Sequence, residues 1–164
     1  MNILIYILAL GLSATLIMDF LGWVRAMIFK IPSFNYAYLG RFFFLVKNKK
    51  YVYRNITEAP VHKFEYITGW VLHYITGIFF ALIYTYIDNS HTTLEAFISS
   101  ILFGLSTAII PFLVMQPILG FGFFASRTPN QWVSIKNSLV AHSNFGIGLF
   151  IAQIIQSYIF STLH

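Results

Sequence analysis

Four polar side chains interrupt apolar stretches of this 164-residue chain at positions where they could do chemistry. They are Asp19, His73, Gln116 and His142, and each lies toward one end of its stretch. Carboxylate and imidazole groups can relay protons, bind metal ions or act as general bases. Inside a bilayer such groups cost free energy, so they usually face the protein interior and mark a site or a pairing. These four residues are the first candidates for a functional site.

The elements that must position them are membrane-spanning helices. The chain is 58% hydrophobic and only 9% charged, whereas a soluble domain carries about a quarter charged residues. A span needs roughly 20 mostly apolar residues, and four stretches meet that requirement: residues 3–24, 66–87, 96–119 and 138–160. We therefore predict an all-α fold in which residues 1–164 form a single transmembrane domain, an integral membrane four-helix bundle.

Several kinds of chemistry are excluded. The chain has no cysteine, which removes disulfides, cysteine-bound zinc, iron–sulfur clusters and thiol catalysis. Gly120, Gly122 and Ala125 match the spacing of a dinucleotide-binding fingerprint. That fingerprint requires a preceding strand, and here a predicted membrane helix precedes it, so we reject this interpretation.

The basic residues indicate the orientation. Eight of the ten lie between Arg25 and Lys63, the other two are Arg127 and Lys136, and residues 88–95 and both ends have no Lys or Arg. The positive-inside rule then places both termini on the outer side and the basic loop, residues 25–65, in the cytoplasm. We expect this loop to contact anionic lipid headgroups. Because topology explains the charge, we predict no binding of nucleic acid.

The segment between the first two spans is rich in aromatic residues. Six of them fall between Ser33 and Val46, a length too short to cross the bilayer. We predict that this segment lies at the cytoplasmic interface, where aromatic rings are favoured. A re-entrant segment is the alternative.

With this orientation the four intramembrane polar residues share one depth. At 1.5 Å per residue, Asp19, His73, Gln116 and His142 fall roughly 5–11 Å below the cytoplasmic interface. Pro111 and Pro117 are expected to kink or break the third helix, with Gly120 and Gly122 helping to end it. Arg127 would then lie near this polar layer and could bind an anionic headgroup or substrate. An ordinary cytoplasmic turn is the alternative for Arg127.

The predicted ligand-binding residues are therefore Asp19, His73, Gln116, Arg127 and His142. Asp19, His73 and His142 could together bind a metal ion, the two histidines could hold a haem, and all three could relay protons. A hydrogen bond between Asp19 and a histidine that only fixes the packing is equally compatible with the sequence. The cofactor therefore stays open.

Small and polar residues repeat at helical spacing along every predicted span, which marks the faces that pack together. The four stripes contain Gly11, Thr15, Asp19 and Gly22; Gly69, His73, Gly77 and Ala81; Ser100, Gly104, Thr107 and Pro111; and Ser138, His142, Gly146, Leu149, Gln153 and Gln156.

The sequence also resembles a bacterial family of four-span inner-membrane proteins catalogued as a domain of unknown function. The motifs that carry the resemblance are Ser13-Ala14-Thr15 through Asp19, Gly69-Trp70 with His73-Tyr74, Gln116-Pro117 through Asn130, and Ser138 through His142 to Gly146. The resemblance implies a bacterial inner-membrane location and a four-helix fold. It implies no activity, ligand or catalytic residue.

Three functions fit these observations. The first is binding of a small ligand, ion or proton, in transport or as a subunit of a membrane complex, with a homo-oligomer or partner subunit implied. The second is a structural or assembly protein whose polar layer only specifies helix packing. The third, which we favour least, is a membrane-embedded enzyme acting on lipid, with His73 or His142 as base and Arg127 holding phosphate.

Overall fold

The structure is a computed structural model that describes residues 2–48 and 55–162. Lys49, Lys50 and Arg54, which belong to the predicted basic loop, lie outside the described residues. Every regular element in the described ranges is helical. The five helices are α1 (Ile3–Phe29), α2 (Ala37–Lys47), α3 (Glu65–Ile87), α4 (Thr93–Ile118) and α5 (Gln131–Thr162). The predicted all-α class is confirmed.

Four of these helices, α1, α3, α4 and α5, are long and apolar enough to cross a membrane. Two of them begin before the apolar stretch does, because polar residues cap them. Thr92 and Glu95 form a capping box at the start of α4, and the side chain of Asn130 accepts a hydrogen bond of 3.1 Å from the backbone N–H of Val133 in α5. Such caps satisfy amide groups that the first turn of a helix leaves unpaired.

The helix α4 is irregular where the prolines predict irregularity. Its regular part, Thr93–Thr107, is followed by a π-helical turn at Pro111–Met115 and a last α-helical turn at Gln116–Ile118. Proline has no N–H to donate to the preceding turn, so the hydrogen-bond ladder must rearrange there. Gly120 and Gly122 then adopt positive φ angles of 86° and 76°, which a right-handed helix does not allow, so the helix ends before them.

The chain forms two compact units. The first contains residues 1–33, 76–108 and 139–164, and its core is apolar: Leu10, Ala14, Ala81, Tyr84, Phe145, Leu149 and Ala152. Glycines let its helices approach closely. A Cβ on Gly104 would lie 2.6 Å from the backbone N of Gly146, and a Cβ on Gly146 would lie 2.6 Å from the carbonyl of Ser100. These contacts confirm the predicted packing faces of α4 and α5.

The second unit contains residues 34–75 and 109–138. Here α2, which is the predicted aromatic-rich segment, packs directly against the first half of α3. A Cβ on Gly40 would overlap the carbonyl of Glu65, and a Cβ on Gly69 would overlap the carbonyl of Tyr36. The backbones of the two helices are therefore in contact at this crossing. The buried residues Ile56, Ala59 and Leu119 form a small apolar core in the same unit.

Candidate functional site

The second unit contains a pocket of about 360 Å³ lined by Asn55, Glu58, Gly120 and Arg127. We call it the Arg127 pocket. It lies between two short segments of 3₁₀ helix, Ile56–Glu58 and Phe123–Ala125. One of the five predicted site residues, Arg127, therefore lines a cavity, together with Gly120, which was predicted to help end the third span, and with Asn55 and Glu58, which were not predicted as site residues.

Backbone hydrogen bonds fix the first wall of the pocket. The N–H of Ile56 donates to the carbonyl of Leu119 over 2.9 Å, which ties this segment to the end of α4. The side-chain oxygen of Asn55 accepts hydrogen bonds from the backbone N–H of Thr57, at 3.0 Å, and from its hydroxyl, at 2.9 Å. Asn55 therefore has a fixed orientation, as asparagine residues that cap short helices do.

The second wall is a loop held in a sparsely populated backbone conformation. Phe124 and Ala125 have φ angles of 50° and 57° although neither is glycine. Such conformations cost of order 1 kcal/mol each and persist only where the surrounding contacts impose them. Here the ring of Phe124 stacks on Phe112 at 5.2 Å, and its carbonyl accepts a hydrogen bond from the amide of Gln131. Strain of this kind is concentrated at functional sites.

Gly122 lies in close contact with the side-chain stem of Arg127. A Cβ at this position would meet the hydroxyl of Ser126 and lie 3.0 Å from Cγ of Arg127. The φ angle of 76° also disfavours any other residue. In addition, the backbone N–H of Arg127 donates to the carbonyl of Phe121 over 2.8 Å. The loop therefore fixes both the backbone and the side-chain stem of Arg127.

The two charged side chains of the pocket do not pair with other described groups of the protein. Within the described residues, the side chains of Arg127 and Glu58 form no hydrogen bond or ion pair, either with each other or with a third group. Both residues are exposed to solvent. A guanidinium group with free N–H donors is suited to bind phosphate or carboxylate oxygens. The geometry therefore offers a cation and an anion to a ligand in one cavity.

Two other predicted site residues belong to the same unit. Gln116 is 7% exposed, and its Oε1 has no hydrogen-bond partner among the described residues. Its backbone carbonyl accepts a hydrogen bond from the N–H of Phe121, so a single residue connects the backbones of Gln116 and Arg127. The ring of His73 stacks on that of Tyr36 with centroids 3.9 Å apart.

The remaining two predicted residues belong to the first unit. His142 lies with its Nδ1 2.6 Å from the hydroxyl of Thr107, and Asp19 is half-buried on α1. The shared polar layer thus remains a prediction. In the part of the chain that the structure describes, no three histidine, aspartate or glutamate side chains come together as a group able to hold a metal ion.

The second unit contains a buried ion pair that was not predicted from the sequence. Arg41 donates to both carboxylate oxygens of Glu65, from Nε at 2.7 Å and from Nη2 at 2.8 Å. Its Nη1 donates to the carbonyls of Ile56 and Ala59, and the carboxylate also accepts the N–H of His62. In the sequence, the charge of Arg41 indicates only the orientation of the chain. Glu65 is one of only five acidic residues and lies directly before the predicted span 66–87. That position could have suggested a basic partner for its carboxylate.

A polar network in the first unit was also missed. The carboxylate of Asp88 accepts hydrogen bonds from Ser90 at 2.6 Å, Ser99 at 2.8 Å and Gln153 at 3.1 Å, and Gln153 in turn accepts one from Tyr84. Burial raises the pKa of Asp88, but these hydrogen bonds outweigh burial and hold the pKa below its ordinary value. The recurrence of Asp88, Ser99 and Gln153 near predicted span ends was the available signal.

The fold and the pocket define a class: helical proteins with four helices able to cross a membrane and a polar pocket outside the regular helices. The chain belongs to the family described as "Protein of unknown function (DUF2938)", which matches residues 8–156. This confirms the family resemblance of the sequence. The comparisons with curated proteins and with solved structures gave no match.

Proposed function

We propose that this chain is a multi-pass protein of the bacterial inner membrane that binds the anionic group of a small ligand or lipid headgroup in the Arg127 pocket. In this proposal the four long helices form a transmembrane bundle, both termini lie on the outer side, and the pocket opens on the cytoplasmic side. The observation that carries it is the uncommitted guanidinium of Arg127 in a cavity of about 360 Å³. The strained loop and Gly122 support it, because they position the backbone and the side-chain stem of Arg127.

The intramembrane residues extend the same proposal. Asp19, His73, Gln116 and His142 are the residues proposed to bind a small ligand, an ion or a proton, and the protein acts in transport or as a subunit of a membrane complex. The buried and unpaired Oε1 of Gln116 supports this part, because an unsatisfied buried acceptor costs about 1–3 kcal/mol unless something donates to it. The basic loop contacts anionic lipid headgroups in this arrangement.

A binding measurement tests the proposal. The detergent-purified protein would be titrated with phosphatidylglycerol and the bound fraction followed by native mass spectrometry. Because hydrogen bonds to charged groups contribute about 1.5–3 kcal/mol, Arg127→Gln should weaken binding about tenfold or more. Lys136→Gln removes the same charge from an exposed residue outside the pocket and should leave the affinity nearly unchanged. Equal affinities for wild type and Arg127→Gln would overturn the proposal.

The second candidate is a structural membrane protein whose polar groups only specify packing. The observation in its favour is that the Arg41–Glu65 pair and the Asp88 carboxylate are fully engaged within the protein. It predicts that Asp19→Asn and His142→Gln lower the melting temperature in detergent. Unchanged melting temperatures for both variants would contradict it.

A further inference from the structure

We infer that the ligand of the Arg127 pocket is zwitterionic, with a phosphate group joined through a short linker to a primary ammonium group. This inference rests on the proposed function and adds the second charge. An anion alone would use Arg127, and Glu58 in the same pocket would then repel it. A ligand that carries both charges uses both residues.

The two charges of the pocket are the first support. Glu58 and Arg127 line one cavity, yet the structure shows no ion pair between them. Opposite charges that line one cavity without pairing can each bind the complementary group of a single ligand. A guanidinium matches the oxygens of a phosphate, and a carboxylate accepts hydrogen bonds from an ammonium group, which carries three N–H donors.

The orientation of Asn55 is the second support. Its Oδ1 is occupied by the two hydrogen bonds from Thr57, and since a backbone N–H must face an oxygen, the amide orientation is fixed. The group that Asn55 can offer to the pocket is therefore its Nδ2, which only donates. Asn55 and Arg127 thus supply donors for phosphate oxygens, and Glu58 supplies the acceptor for the ammonium.

The surroundings indicate where such a ligand comes from. The loop beside the pocket exposes the large apolar side chains of Phe123, at 62%, and Phe124, at 43%, and Trp132 in the first turn of α5 is 71% exposed. Exposed aromatic residues of this kind are typical of the membrane interface. Phosphatidylethanolamine presents the required headgroup at that depth, and free phosphoethanolamine carries the same chemistry in solution.

A lipid series tests the inference. Native mass spectrometry would compare phosphatidylethanolamine, phosphatidylcholine and phosphatidylglycerol with identical acyl chains. We expect the wild type to bind phosphatidylethanolamine best, since phosphatidylcholine has no N–H and phosphatidylglycerol no cation. Glu58→Gln should reduce the preference for phosphatidylethanolamine over phosphatidylglycerol about two- to fivefold, which is the size expected of an exposed ion pair. Glu95→Gln, which removes a carboxylate outside the pocket, is the matched control and should leave the lipid preference unchanged.

The outcomes separate the two proposals. Suppose that Arg127→Gln weakens the binding of every lipid, while Glu58→Gln leaves the preference for phosphatidylethanolamine over phosphatidylglycerol unchanged. The inference of a zwitterionic ligand is then wrong, and the proposed anion-binding site stands. If Arg127→Gln has no effect, both proposals fail. Competition by soluble phosphoethanolamine identifies the source: displacement of bound lipid shows that the headgroup suffices, and binding of phosphoethanolamine without any lipid binding assigns the pocket to the soluble compound.

Discussion

The hydroxyl of Thr107 on α4 lies 2.6 Å from Nδ1 of His142 on α5. The same hydroxyl donates its one proton to the carbonyl of Gly104, also at 2.6 Å. A hydroxyl has a single proton to donate, so His142 must donate from Nδ1 to the threonine oxygen. This relationship assigns a proton to Nδ1 of the histidine.

The first prediction concerns this hydrogen bond. Thr107→Val keeps the size of the side chain but removes the acceptor for His142, and we expect it to lower the free energy of unfolding by about 1–2 kcal/mol. His142→Gln should cost a similar amount. Melting of both single variants and the double variant in detergent measures the coupling. Strictly additive losses would show that the two side chains do not interact in solution.

The second prediction concerns the crossing of α2 and α3. Gly40→Ala places a methyl group on the carbonyl of Glu65, which is backbone and cannot rotate away. Overpacking of this kind costs about 1–3 kcal/mol or more, so the melting temperature should fall and α2 should become sensitive to protease. Gly22→Ala is the control, because its Cβ would meet only the hydroxyl of Ser33 at 3.1 Å. Equal stability of the two variants would contradict the close crossing.

The third prediction concerns the buried ion pair. Arg41→Met leaves the carboxylate of Glu65 nearly buried without its partner, and breaking such a pair costs about 3–5 kcal/mol. Arg41→Lys should recover only part of the loss, since an ammonium cannot reproduce the two-point contact. Thermal unfolding in detergent provides the measurement. Lys47→Met, at the exposed end of the same helix, should be almost neutral, and a loss as large as that of Arg41→Met would refute the special role of the pair.

The fourth prediction concerns acid stability. The folded protein holds the pKa of Asp88 below its ordinary value, so its carboxylate stabilises the fold at neutral pH. That contribution is present above the unfolded pKa of about 3.9 and is lost as the pH falls through the lower folded value. Asp88→Asn should therefore melt below the wild type at pH 7, and the difference should shrink toward pH 3. A difference that does not depend on pH would show that the charge of Asp88 is irrelevant.

The fifth prediction concerns the topology. Because the chain has no cysteine, single cysteines can be introduced without a background signal. With both termini outside, a cysteine at Ser90, between α3 and α4, should react with an impermeant maleimide in intact cells. A cysteine at Asn48, just after α2, should react only after the cells are opened. The reverse pattern would invert the orientation and move the Arg127 pocket to the outer side.

Much of the fold follows from hydrophobic length and small-residue spacing. The second span was predicted at residues 66–87 and α3 covers Glu65–Ile87, because this helix extends only one residue beyond its apolar stretch. The fourth span was predicted from residue 138, whereas α5 begins at Gln131. The added turns mix polar and apolar residues and are capped by Asn130, and a hydropathy pattern contains no information on hydrogen bonds.

The site was harder to predict, because its partners are distant in sequence. Arg127 was predicted from its charge after a broken helix. Asn55 and Glu58 join it through a backbone hydrogen bond between Ile56 and Leu119, and no sequence pattern encodes that pairing. The Arg41–Glu65 pair likewise depends on α2 folding back onto α3 through Gly40 and Gly69. Each of these contacts is set by tertiary packing.

The π-helical turn of α4 acts as a one-residue insertion that changes the phase of the helix. The buried stripe runs through Ser100, Gly104, Thr107 and Pro111 at spacings of three and four, and a regular α-helix would continue it to Val114 or Met115. In the structure Val114 is exposed, and the next buried residue on that stripe is Gln116. Since each residue turns an α-helix by about 100°, a regular α-helix through Pro111–Met115 would turn the amide of Gln116 away from this stripe, whereas deleting one residue there would remove the π-helical turn and keep Gln116 on the stripe.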